Sequence, residues 1–110
     1  MGFSQTTNNG IVLVRAEGQL IVGNRQELKN LVTERLDAGE RRFVIDFSRT
    51  GYIDSSGLGA LVTISKQVRE QGGEMRLAGL NDDLRTLFEL TKLDTLFAIA
   101  DTPQQALGSF

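Results

Sequence analysis

Residues 43–61 read FVIDFSRTGYIDSSGLGAL. Phe43-Val44-Ile45-Asp46-Phe47 is a compact run of aromatic and β-branched residues, the composition of a strand covered on both faces. It is expected to be the central strand of a sheet. Ser48 to Ile53, with Gly51 inside it, reads as a loop. Asp54-Ser55-Ser56 then supplies side chains that favour helix N-termini, and Leu58, Leu61, Val62 and Val68 recur on one helical face until Gly72-Gly73. A buried strand leading into an amphipathic helix is the repeating unit of an α/β fold.

The same alternation extends in both directions. Upstream, Ile11 to Val14 and Leu20 to Val22 are short aliphatic runs separated by Glu17-Gly18-Gln19, and are expected to pair as two antiparallel strands. Asn24 and Glu27 have capping-box spacing, Leu28, Leu31, Val32 and Leu36 form one helical face, and Gly39 ends it. Downstream, Met75 and Leu77 alternate with Glu74 and Arg76 as in a strand with one wetter face. Asn81-Asp82-Asp83 opens a further helix with Leu84, Leu87 and Phe88 inward, and places negative charge at its positive dipole end. Leu96 to Ala100 is a short strand, and Thr102-Pro103-Gln104-Gln105 a second capping box with proline at the first helical position. The expectation is one α/β domain over residues 1–110, a mixed sheet of four to five strands with about four helices, and residues 1–9 as a flexible polar lead.

Composition narrows the chemistry. With 110 residues, 40% of them hydrophobic, the chain can bury one core and has no room for a second enzyme domain. Twelve Lys and Arg against 14 Asp and Glu leave a net charge of -2, without the basic excess that nucleic-acid binding demands. Cys 0 removes disulfides, zinc thiolates and thiol nucleophiles, and His 0 removes imidazole-dependent triads. No apolar run approaches the roughly 20 residues of a membrane span, and the first ten residues lack a signal-peptide pattern. Met1-Gly2 with Thr6 matches only the bare outline of a myristoylation signal. A cytoplasmic protein without membrane partner is expected.

Candidate chemistry gathers in Tyr52-Ile53-Asp54-Ser55-Ser56-Gly57-Leu58-Gly59-Ala60-Leu61, the one stretch whose composition asks for more than packing. Free backbone N–H groups and the dipole make a helix start hospitable to negative charge, including a phosphoryl group on a hydroxyl. Ser55 and Ser56 both offer one, and either serine or Asp54 can simply cap the helix while Gly57 and Gly59 permit close packing. Asp82 and Asp83 read as dipole partners rather than metal ligands. Arg41, Arg42, Lys66 and Arg69 read as solvated charge, and Phe88, Phe97 and Phe110 as packing residues. GxxxxGK[ST] is absent, and no cofactor is expected.

The order of elements, with YIDSSGLGALV (52–62) after FVIDFS (43–48) and followed by LNDDLRTLFELTKLDTLF (80–97), resembles a STAS domain of the bacterial anti-sigma factor antagonist type. The resemblance covers nearly the whole chain and implies a STAS-like fold and a regulatory module without catalysis. It makes Ser56, second serine of the D-S-S-G motif, the phosphorylation site of a GHKL-type serine kinase that doubles as the anti-sigma factor. Asp54, Ser55, Gly57 and Leu58 flank it as partner-binding residues, and a Ser/Thr phosphatase would reset the switch. Where the family often reads Gly-Glu-Leu-Asp, this chain has Gly18-Gln19-Leu20-Ile21, without acid at that edge. Two other readings compete. One is a STAS scaffold or ligand-sensing module in a larger signalling or transporter-linked assembly. The other is a carboxylate enzyme using Asp46 and Asp54, disfavoured because so short a chain offers little room for a deep apolar pocket of the usual ligand-site volume.

Overall fold

The structure, a computed structural model, describes residues 2–110. Five strands form one sheet in the order β1-β2-β3-β4-β5: β1 (Gly2–Asn8), β2 (Ile11–Leu20), β3 (Arg42–Ile53), β4 (Glu74–Ala78) and β5 (Ala98–Ala100). Four helices intervene or follow: α1 (Arg25–Asp37), α2 (Ser55–Glu70), α3 (Asp82–Leu90) and α4 (Pro103–Leu107). A 3₁₀ turn over Leu93–Thr95 precedes β5. Only β1 is antiparallel to its neighbour; β2 to β5 run parallel. The mixed sheet and helix count are those expected from the periodicity.

Because β2 to β5 are laid down in sequence, crossovers of one hand put α1, α2 and α3 on one face. The larger core lies there. Val12, Val14, Phe43, Ile45 and Phe47 meet Leu28, Val32, Leu36, Leu61, Ile64, Leu84 and Phe88. On the other face Ile11, Leu13, Val44 and Ala78 are covered by Ala106 of α4, with Leu107 and Phe110 packed alongside. Phe43 to Phe47 are therefore buried throughout, and β3 is central as expected. Phe88 and Phe97 pack edge to face at 6.1 Å, and Phe110 lies under the Arg76 guanidinium at 4.3 Å.

Three expectations need correction. Residues 2–8 are not a flexible lead but β1, joined to β2 by Asn9 and Gly10. Both have positive φ, 56° and 77°, the backbone of the turn whose twist matches a two-residue hairpin. Consequently 11–14 and 20–22 are not two paired strands. Ile11–Leu20 is one continuous strand, whose antiparallel partner is β1. Nor is 48–53 a loop, since β3 runs on to Ile53. Arg15 faces Asp46 but Glu17 faces Arg49, and Gly18 faces Thr50 but Gln19 faces Tyr52. Each step inserts an extra residue into β3, and such bulges destroy the period-2 pattern by which a strand is recognised.

Candidate functional site

The carboxyl ends of β2 and β3 are welded to the first turn of α2. Asp54 is the N-cap; its N–H donates to the Leu20 carbonyl at 3.1 Å. Its Oδ1 accepts from the Gly57 N–H at 2.7 Å and from the Ser56 hydroxyl at 2.8 Å. Its Oδ2 accepts from the Val22 N–H at 3.2 Å, tying in the segment between β2 and α1. A Cβ on Gly57 would lie 2.5 Å from the Leu20 carbonyl oxygen, so only glycine permits this approach. Gly59 is different: a Cβ there meets nothing within 4 Å, so the packing role expected of it is not found within the chain.

These bonds hold the Asp54 carboxyl below its ordinary pKa of 3.8. The Gly57 N–H is the largest cause, opposed by partial desolvation and helped by Ser56 and the Val22 N–H. Ser56 is partly buried with its hydroxyl directed to Asp54, whereas Ser55 is exposed. Leu58 turns into the core. Thus Asp54, Ser56 and Gly57 are brought into direct contact, with Ser55 at the outer rim.

Asn24 does not close the expected capping box. Its Oδ1 accepts from the Ile21 N–H at 2.9 Å and its Nδ2 donates to the Gln19 carbonyl at 2.7 Å, which braces the segment beside Asp54. At Thr102 the hydroxyl does accept from the Gln105 N–H, while the Gln105 side chain returns to the Asp101 N–H rather than to the cap. Arg41 is not simply solvated charge. It is partly buried and donates to the Leu36 and Glu40 carbonyls at the end of α1. Arg42, Lys66 and Arg69 are exposed, and Asp82 and Asp83 occupy the first turn of α3.

Sequence reading did not connect Val22 with this site, and it included Tyr52 in the candidate segment without giving it a role. Val22, whose N–H binds Asp54, and Tyr52, which lines a groove with Asp54, are 64% and 57% exposed. Tyr52, Asp54, Ser55 and Leu58 form one wall of an open groove of about 470 Å³, with Leu84 and Leu87 of α3 opposite. The signal for Tyr52 was an aromatic residue within a β-favouring stretch, masked by the bulges around it. A second open cleft, of about 580 Å³, is lined by Asp46. Asp46 and Asp54 are not brought together: the β3 segment from Asp46 to Ile53 spans five residues of β2, and with one more step to Asp54 the separation is roughly 20 Å.

A family model for the STAS domain matches residues 3–106, and the chain belongs to that family. BtrV of Bordetella bronchiseptica, a candidate anti-sigma factor antagonist, is 30% identical over 102 residues, covering 93% of this chain and 88% of BtrV. A candidate anti-sigma factor antagonist from Thermotoga maritima has a crystal structure that superposes with a TM-score of 0.90 at 27% identity, covering 96% of this chain and 92% of that one. The fold recurs in the Bacillus anti-sigma factor antagonist SpoIIAA. Its unphosphorylated form has a TM-score of 0.74 at 17% identity, covering 94% of this chain and 92% of SpoIIAA. Its phosphorylated form has a TM-score of 0.77 at 18% identity, covering 97% of each chain. No helix among the described residues is long and apolar enough to cross a membrane.

Proposed function

We propose that this chain is an anti-sigma factor antagonist whose unmodified form binds an anti-sigma factor serine kinase of GHKL type and so frees a sigma factor. Phosphorylation of Ser56 ends the complex, and a separate Ser/Thr phosphatase restores it. The protein acts in the cytoplasm, catalyses nothing itself and touches neither nucleic acid nor membrane. The names of its relatives support the antagonist role. The observation that carries the choice of residue is the Ser56 hydroxyl, held at 2.8 Å by the cap of α2 on a surface that includes exposed Val22 and Tyr52.

In the transfer, Ser56 Oγ bonds to the γ-phosphorus of kinase-bound ATP, the bond from that phosphorus to the β,γ-bridging oxygen breaks, and ADP leaves. The hydroxyl proton must go elsewhere. Asp54, with its pKa lowered, is a poor base at neutral pH. Its part is to orient the hydroxyl, and the kinase or solvent takes the proton. The product carries roughly −1.5 to −2 charges at neutral pH. The first turn of α2 offers N–H groups and a positive dipole end, whereas the Asp54 carboxylate opposes the new charge. The fold therefore survives modification, and the penalty falls on a partner that must desolvate the dianion.

Intact mass after incubation with the kinase and ATP, alongside size-exclusion of the mixture, tests this. Wild type should gain one phosphoryl group and leave the complex. A Ser56→Ala protein that is still phosphorylated would overturn the assignment.

A further inference from the structure

β4 and β5 stop at Ala78 and Ala100, while β2 and β3 run on beyond them. That step leaves the cleft of about 580 Å³ on the α4 face, away from the face that carries α2. Asp46 of β3 contributes to its lining, together with Arg15 and Glu17 of β2, Ser48 and Arg49 of β3, and Asp101 beyond β5. Small-molecule sites commonly occupy roughly 300–1,000 Å³.

Asp46 is the unusual feature. Its side chain is only 8% exposed, in the central strand of the sheet. Oδ1 is satisfied by the Ser48 N–H at 2.9 Å and the Ser48 hydroxyl at 2.5 Å. Oδ2 has only Arg15 Nε at 3.7 Å, beyond hydrogen-bond distance. No buried side-chain oxygen among the described residues lacks a partner, so Oδ2 is not sealed in the core: it opens to the cleft that Asp46 lines, free to accept from a bound donor.

The surrounding charge is mixed. Arg15 is more than half exposed, and Arg49 makes no ion pair among the described residues. Glu17 is exposed nearby, and Asp101 is already paired with Arg85. Arg15 and Arg49 against Asp46 and Glu17, with Asp101 already neutralised by Arg85, repel neither end of a molecule that carries both signs and give no net attraction to a polyanion.

We propose that this cleft binds a small zwitterion of the α-amino-acid type. Its ammonium donates to Asp46 Oδ2, replacing the distant contact with Arg15 by a close one, and its carboxylate takes the guanidinium groups of Arg15 and Arg49. Guanidinium matches a carboxylate with two parallel N–H donors, and charge-assisted bonds of this kind are the stronger class. The site is separate from Ser56 and does not depend on the function proposed above.

The test is amide NMR of ¹⁵N-labelled full chain titrated with the free L-α-amino acids one at a time at millimolar concentration. At least one should move the amides of Arg15, Glu17, Asp46, Ser48 and Arg49 saturably. Its desamino and decarboxylated analogues, each missing one charge, should bind at least about tenfold more weakly. Asp46→Asn keeps a carbonyl oxygen for Ser48 and should weaken binding similarly; if that variant does not fold, the exposed Arg49→Gln carries the comparison. The proposal fails if no amino acid moves these amides, if the analogues bind as well as the parent, or if binding survives whichever of these variants folds.

Discussion

Ser56 donates its hydroxyl proton to the same Asp54 oxygen that receives the Gly57 N–H, at 2.8 and 2.7 Å. One carboxylate therefore both begins α2 and orients the serine. Under the proposed function Ser56→Ala should keep kinase affinity and escape modification. Ser56→Asp should bind about tenfold or more weakly, since one carboxylate supplies part of a phosphoryl group's charge. Titration calorimetry against the kinase reads both, and equal affinities would contradict the electrostatic switch.

Asp54→Asn should retain most of the cap, since asparagine accepts the Gly57 N–H comparably, whereas Asp54→Ala should melt several degrees lower. Because the folded pKa lies below 3.8, the carboxylate's contribution is fully present above that value and is lost as pH falls through the folded pKa. The difference in melting temperature between wild type and Asp54→Asn should therefore be constant at neutral pH and change only below about pH 4. A change centred near pH 6 would implicate another group.

Gly57→Ala and Gly59→Ala should have opposite signs. At 57 the new methyl meets the Leu20 carbonyl at 2.5 Å, and the required shift of α2 should cost about 1–3 kcal/mol. At 59 the methyl enters open space in an exposed helical position, where alanine is favoured by about 0.5–1 kcal/mol. Urea denaturation of the two variants measures the contrast.

Gly10→Val should weaken β1 locally. A β-branched residue at φ +77° carries a penalty of roughly 1–2 kcal/mol. Hydrogen exchange should accelerate in Gly2–Asn8 while the amides of β3 and β4 stay protected. Uniform acceleration across the sheet would show β1 to be essential to the whole core.

Apolar spacing alone was enough to place α1, α2, α3 and the central strand, because a helix face or a doubly covered strand writes its burial directly into composition. Asn9-Gly10 is a turn-favouring pair that went unread, because it ends a polar segment whose strand character depends on pairing with β2 rather than on its own burial. The bulges in β3 hid Tyr52 for a related reason: the pattern of a strand is readable only while its register is regular.

At the candidate site, residue identities set a capped helix start bearing two hydroxyls, since few side chains can accept the free N–H groups of a first turn. Which hydroxyl faces the carboxylate, that Val22 is tied to the same Asp54, and that Asp46 lines a cleft with one oxygen open to it, were decided by tertiary structure. Those facts depend on which strand ends lie side by side, and contacts between residues distant in sequence leave no periodic trace in it.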